Sequence, residues 1–268
     1  MLYNARNRNI KIGDTDIDYV SFGTGKKNLV MIIGLNDGIF PVRGTALPLA
    51  WAYRIFAPHY TVYVFGRKNK MESGYSTRDM ARDQAEVMRA LGISQADVIG
   101  VSQGGMIAQY LAIDHPELVH KLILAVTLSK QNESIQPVVK KWIQLATEMD
   151  YKNLLIDSAE KAYTENRLKK LRLIYPFLGL LRKPESLERF LIQADACLEH
   201  DAYAELGKIS CPTLIIGGAL DQIVGVNASC ELAKAIQGSK LYIYKDYGHT
   251  VYEEAKDFNR RMMHFLSK

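Results

Sequence analysis

This 268-residue sequence predicts an α/β fold: a mostly parallel eight-stranded sheet, helices on both faces and a helical insertion. Three observations predict it. Short apolar runs of strand length alternate with amphipathic helical segments as far as residue 130. A stretch over 131–207 is then helical throughout. Beyond it, strand and helix alternate again to the end of the chain. A parallel sheet needs helical crossovers on its faces, and such alternation is their trace in a sequence. The expected core is therefore 1–130 with 208–268, and 131–207 is the expected cap.

Asn9 to Ile12 and Ile17 to Phe22 read as antiparallel strands around the turn Gly13-Asp14. Leu29 to Ile33 and Thr61 to Phe65 are continuous apolar runs, as strands buried on both faces should be. Leu47 to Phe56 between them has helical spacing. Thr77, a capping residue, opens a helix with Ala81, Ala85, Met88 and Leu91 on one face, and Gly92 closes it. Asp97 to Val101 is a strand, Gly104 to Ile113 a helix ending before Pro116, and Lys121 to Val126 a strand.

Four amphipathic helices are expected in the insertion. Their marks are Val138 with Trp142, Leu154 with Ile156, Leu168 with Leu171, and the segment Leu187 to Leu198. Thr213 to Ile216 and Leu241 to Tyr244 are the last strands. A helix over Val226 to Ile236 separates them, and a terminal helix runs from Tyr252 to Leu266.

Composition excludes several classes. The apolar fraction is 48% and the charged fraction 24%, as in folded globular chains rather than disordered or collagen-like ones. The net charge of +5 comes from interspersed residues, without the basic block of a nucleic-acid tail. Cys197, Cys211 and Cys230 are odd in number and widely spaced, which argues against disulfides and zinc. The first residues lack the apolar core of a signal peptide, and no apolar run is long enough for a bilayer. A cytoplasmic chain is expected, without nucleic-acid partners or stable membrane insertion, and the sequence leaves a homodimer open.

The most informative segment is Val98-Ile99-Gly100-Val101-Ser102-Gln103-Gly104-Gly105-Met106. A buried strand enters it and an apolar helix leaves it. Gly100, Ser102 and Gly104 form G-x-S-x-G, in which a tight turn exposes the serine hydroxyl and the glycines leave room for the backbone. The N–H of Gln103 falls at the positive end of a helix. A serine hydroxyl needs a base at neutral pH, and His249, after the last strand, is the candidate. The base needs an acid to fix its tautomer. Asp221 follows the strand Thr213 to Ile216, and Asp246 is the rival, three residues before His249.

These pieces resemble the α/β-hydrolase superfamily, in its branch of small cap-bearing esterases, lactonases and carbon–carbon bond hydrolases. The likeness rests on Gly100 to Gly105, on His115-Pro116-Glu117-Leu118-Val119, on Pro212 to Gly217 and on Gly248-His249. It implies a Ser102–Asp221–His249 triad and an oxyanion hole made by the N–H groups of Gln103 and Leu35. It also implies a small acyl substrate cleaved through an acyl-enzyme, with no metal or organic cofactor.

The sequence departs from the family at two places. Ile33-Gly34 replaces the usual His-Gly, and Phe65-Gly66-Arg67 stands where an acidic residue is usual after the fourth strand. The Asn36 amide is a further candidate for the oxyanion loop, and Arg67 is expected as a loop anchor or a substrate contact. The insertion is expected to cover the site, with Ile174 to Leu181 as cap core and pocket lining or, alternatively, as a lipid-facing lid. Trp51 and Trp142 are expected as packing residues, and Arg167, Lys169, Lys170 and Arg172 as a solvated helix face. The leading function is carboxylic-ester hydrolysis. Carbon–carbon bond hydrolysis or lactone opening with the same triad is the alternative, and a non-catalytic ligand receptor a third.

Overall fold

A computed structural model describes residues 2–180 and 184–268. Met1 and Leu181, which belong to segments read above, lie outside the described residues. The elements follow in chain order. They are β1 (Arg6–Ile12), β2 (Thr15–Phe22), β3 (Lys27–Ile32), α1 (Ala46–Ala52), β4 (Tyr60–Lys68), α2 (Thr77–Ala90), β5 (Ala96–Val101), α3 (Gln103–Asp114) and β6 (Val119–Ala125). Next come α4 (Ile135–Thr147), α5 (Tyr151–Ala162), α6 (Glu165–Leu171) and α7 (Glu188–Glu199). The chain closes with β7 (Thr213–Gly218), α8 (Ala228–Ala235), β8 (Lys240–Tyr244), α9 (Val251–Glu254) and α10 (Phe258–Leu266).

The eight strands form one sheet in the order β1-β2-β4-β3-β5-β6-β7-β8. Only the pairs β1–β2 and β2–β4 are antiparallel. From β4 to β8 every pair is parallel, so these strands end at one edge. The chain passes from β3 to β4 on one side and then to β5 on the other. Such a reversal opens a crevice at the carboxyl ends of β3 and β5. Alternate residues of β3 feed two cores. Val30 and Ile32 pack with Met80, Met88, Ile107 and Leu111 of α2 and α3. Leu29 and Met31 pack with Phe56, Phe258 and Met262 on the opposite face.

A third apolar cluster joins α4 and α7 to the crevice. Val138, Val139, Trp142, Phe190 and Cys197 pack there with Leu35, Met106 and Ile223. Where the helical segment leaves the sheet and returns, Lys130 pairs with Asp201 and Ala202 N–H donates to Ser129 O at 2.8 Å. Leu206, downstream of that neck, already belongs to the core of α2 and α3.

Five expectations need correction. Ser76, not Thr77, caps α2: its hydroxyl accepts from Asp79 N–H while the Asp79 carboxylate accepts from Ser76 N–H. The terminal helix is broken into α9 and α10, because Ala255 is extended and Asp257 restarts the turn. Trp51 is 62% exposed, with the Arg54 guanidinium 4.7 Å from its ring, whereas Trp142 is buried as expected. In the stretch Ile174 to Leu181, the described residues are neither cap core nor pocket lining: Ile174, Phe177 and Leu180 are 50%, 62% and 82% exposed. Arg172 is also not simply solvated, since it bonds Glu160 and Glu165. Among the described residues, no helix is long and apolar enough to cross a membrane.

Candidate active site

Ser102 sits at the turn between β5 and α3 with φ 55° and ψ −122°. A non-glycine residue rarely adopts that backbone, and holding it there costs on the order of 1–3 kcal/mol. The neighbouring glycines make the turn possible. A Cβ on Gly104 would lie 1.9 Å from the Ile32 carbonyl oxygen, and one on Gly100 would lie 2.5 Å from the Gly104 carbonyl oxygen. Strand, turn and helix therefore approach more closely than any side chain allows. The bond from Ser102 N–H to Ala125 O, 2.9 Å, ties the turn to the end of β6.

His249 lies in the loop after β8 and Asp221 in the loop after β7. The two loops hold each other: Ala219 N–H donates to Tyr244 O at 2.9 Å and Leu220 N–H to Tyr247 O at 3.0 Å. His249 Nε2 is 2.9 Å from Ser102 Oγ, and His249 Nδ1 is 2.8 Å from Asp221 Oδ2. The second carboxylate oxygen, Oδ1, accepts from the N–H groups of Ile223 and Val224 at 2.9 and 3.0 Å. Asp221 and His249 are buried, so the acid and the base are fixed out of water, while Ser102 is half-buried at the cavity. Asp246 is exposed, and among the described residues no hydrogen bond joins it to His249.

Leu35 opens a short 3-10 turn, Leu35–Gly38, directly after β3. Gln103 opens α3. The first N–H groups of such elements have no acceptor within the element, which suits them to an incoming anion. The two loops touch: a Cβ on Gly34 would lie 3.3 Å from the Ser102 Cβ. Arg67 is 1% exposed and does not line the cavity; its guanidinium donates to the Ile33 carbonyl and to Gln103 Oε1. Of the two roles expected for it, loop anchor is the one the contacts support.

A cavity of about 320 Å³ opens onto Ser102 and His249. Val101, Met106, Ile135, Val139, Trp142 and Cys197 give it an apolar wall, and Phe40, Tyr53, Tyr163 and Tyr252 add aromatic surface. Asn36 also lines it. Among the lining residues there is no lysine or arginine, and Glu253 is the one carboxylate, bonded to the Tyr163 hydroxyl at 2.6 Å. Burial raises the Tyr53 hydroxyl to about 12 and the Cys197 thiol to about 12, so both stay protonated at neutral pH. No group of histidine, cysteine and acidic side chains suited to a metal occurs among the described residues.

A family model described as the alpha/beta hydrolase fold matches residues 52–256. The chain belongs to the α/β-hydrolase family. It is a hydrolase of that family in fold and in sequence. A 2-hydroxy-6-oxononadienedioate/2-hydroxy-6-oxononatrienedioate hydrolase of Klebsiella pneumoniae is 27% identical over 259 residues, 92% of this chain and 89% of that one. Among solved structures, the enol-lactonase from Burkholderia xenovorans LB400 superimposes with a TM-score of 0.83 at 18% identity, covering 97% of this chain and 100% of the other. The esterase EaEST from Exiguobacterium antarcticum does so with a TM-score of 0.81 at 22% identity, covering 98% and 100%. At those identities the structural likeness speaks for the fold alone.

Sequence reasoning located every member of the Ser102–His249–Asp221 cluster. It missed Asp37 and Arg189, which are ion-paired against the underside of the Leu35 turn. Asn36-Asp37-Gly38 reads as an ordinary turn, so nothing in the sequence marks Asp37 as a buried charge in need of a partner.

Proposed function

We propose that this α/β-hydrolase cleaves a neutral carboxylic ester through an acyl-enzyme on Ser102. His249 Nε2 takes the Ser102 hydroxyl proton as Oγ attacks the acyl carbon. Asp221 holds the other ring nitrogen as a donor and stabilises the imidazolium. The N–H groups of Leu35 and Gln103 receive the negative charge that develops on the acyl oxygen; one such donor is typically worth about 10²–10³ in turnover. His249 then returns the proton to the leaving alcohol. Water, activated by the same imidazole, releases the acid and restores Ser102. The helical segment over 131–207 acts as the cap that keeps bulk water from these steps.

The observation that carries the reading is the continuous bonded line Ser102 Oγ, His249 Nε2, His249 Nδ1, Asp221 Oδ2, at 2.9 and 2.8 Å. A lactone is an ester closed on itself and passes through the same steps, so neutral lactones belong to the proposed substrate class. Carbon–carbon cleavage is the second reading, favoured by the 27% identity to a dienedioate hydrolase over 92% of the chain. The pocket wall weighs against it. A dioate carries two negative charges, and here it would meet apolar side chains, no lysine or arginine among the lining residues, and Glu253. An unpaired buried charge costs several kcal/mol.

A panel of nitrophenyl acetate, butyrate and octanoate, a neutral lactone and a vinylogous diketone dioate tests this reading with the wild type and Ser102→Ala. Esters or lactones should be turned over, the dioate should be the poorest substrate, and Ser102→Ala should lose on the order of 10⁴-fold or more with its fold intact. Dioate turnover above every ester would overturn the substrate class. Undiminished ester turnover by the pure mutant would overturn the nucleophile.

A further inference from the structure

The underside of the oxyanion loop is held by charges from three separate parts of the chain. Asp37, in the Leu35 turn, is fully buried. Its Oδ2 accepts from Arg67 N–H at 3.1 Å and from the guanidinium of Arg189 on α7. Arg189 also donates to the backbone carbonyls of Asp37, Arg67 and Lys68, the last two at 3.0 and 3.1 Å. One planar fork therefore joins the Leu35 turn to the end of β4. Arg67 continues the line to the Ile33 carbonyl and to Gln103 Oε1, 3.1 Å away. The Gln103 amide turns back to α7, donating to Gln193 O at 2.6 Å and to Cys197 Sγ at 3.2 Å. The circuit is closed: α7 grips the loop that bears Leu35 through Arg189, and the residue after Ser102 through Gln193 and Cys197. Packing is equally tight, since a Cβ on Gly38 would lie 2.7 Å from the Phe190 Cα.

We infer that Arg189 is a positioning residue for the oxyanion hole, coupling the seat of helix α7 to the placement of the Leu35 and Gln103 N–H donors. The inference rests on the acyl-transfer reading above. Donors of this kind act by being fixed before charge develops, and a displacement of about 1 Å can cost on the order of 10²-fold. Arg189 does not line the cavity, so it does not reach substrate. It acts through Asp37 and Arg67. A lysine keeps the charge but not the fork, and so replaces only part of this function.

The test uses full-length wild type, Arg189→Met and Arg189→Lys, with active sites counted by fluorophosphonate titration. Nitrophenyl butyrate gives kcat and KM. A trifluoromethyl ketone, which forms a hemiketal with the serine and places an oxyanion in the hole, gives a transition-state-like affinity. Arg189→Met should lower kcat per active site by about 10–100-fold with KM within about twofold, and weaken the ketone by the same factor. Arg189→Lys should recover part of both. If Arg189→Met does not fold, a loss of about threefold or more in kcat and in ketone affinity by Arg189→Lys supports the inference. Unchanged kcat and ketone affinity, or a loss confined to KM, would reduce Arg189 to a strut of the pocket wall and overturn it. Failure of the wild type to turn over any ester or to bind the ketone sinks the acyl-transfer reading instead, and is seen before any variant is made.

Discussion

The two loops that meet at Ser102 are shaped by different physics. The elbow between β5 and α3 is set by steric fit, by glycines that let backbone pass against backbone and by a serine held at φ 55°. The Leu35 turn is set from a distance, by a buried carboxylate and two arginines drawn from β4 and α7. Steric exclusion has no graded response: a Cβ either fits or forces the chains apart. Hydrogen-bonded ion pairs degrade by degrees as partners are removed or swapped. Damage to the first loop should thus appear as loss of the folded protein, and damage to the second as a slower enzyme.

The largest effect tests whether the line of bonds from the elbow to the loops after β8 and β7 works as a unit. Asp221→Asn keeps the shape of the side chain but reverses the preference of the His249 tautomer. It should lower kcat by about 10⁴-fold at neutral pH with little change in the thermal midpoint. A loss below tenfold would mean that another group orients His249.

Gly104→Ala is the next test and addresses the steric loop directly. The added methyl would sit 1.9 Å from the Ile32 carbonyl oxygen, so β3 and α3 must separate. Overpacking of this kind costs about 3 kcal/mol or more, measurable as a shifted urea midpoint or as failure to accumulate folded protein. A variant of normal stability with a slow active site would erase the distinction between the loops.

That distinction also explains what was legible in the sequence. The Gly100-x-Ser102-x-Gly104 pattern is read from five consecutive residues because the turn it encodes lies within them, although the contact that demands Gly104 is with Ile32 of β3. His249 and Asp221 were found because each follows a strand whose end the hydrophobic pattern marks. Arg189 offered no such mark. In sequence it is one charged residue on an amphipathic helix, and only the docking of α7 onto Gly38 gives it Asp37 as partner. The stretch from Ile174 differs for the opposite reason: apolar composition implies burial, and among the described residues Ile174, Phe177 and Leu180 stay exposed. The cap of α2 lies one residue before the expected Thr77, because Ser76 and Thr77 adjoin and both residue types cap well.

A third test uses a buried group outside both loops as a probe of the helical segment's neck. His200, beside Asp201, is 1% exposed, with Nδ1 2.9 Å from Thr77 Oγ1. Burial lowers its pKa from the usual 6.5 to about 3. Between those values the unfolded chain binds a proton that the folded chain does not, so this contribution to stability is complete above pH 6.5 and is lost as pH falls. The slope approaches about 1.4 kcal/mol per pH unit. His200→Gln should flatten the fall in urea stability between pH 6.5 and 4.5 relative to wild type. An unaltered slope would show that His200 titrates normally and that the neck admits water.

The smallest expected effect sets nearness in sequence against nearness in space. Asp246 lies three residues from His249 and Asp221 lies 28 residues away, yet Asp221 is the one at 2.8 Å. An exposed carboxylate is screened by water and salt, and its influence on a buried imidazole is correspondingly weak. Asp246→Asn should leave kcat and KM for nitrophenyl butyrate within about twofold at 0.15 M salt. A loss approaching that of Asp221→Asn would mean that the loop after β8 rearranges in solution to supply its own acid, and that the sheet edge does not fix the third member of the cluster.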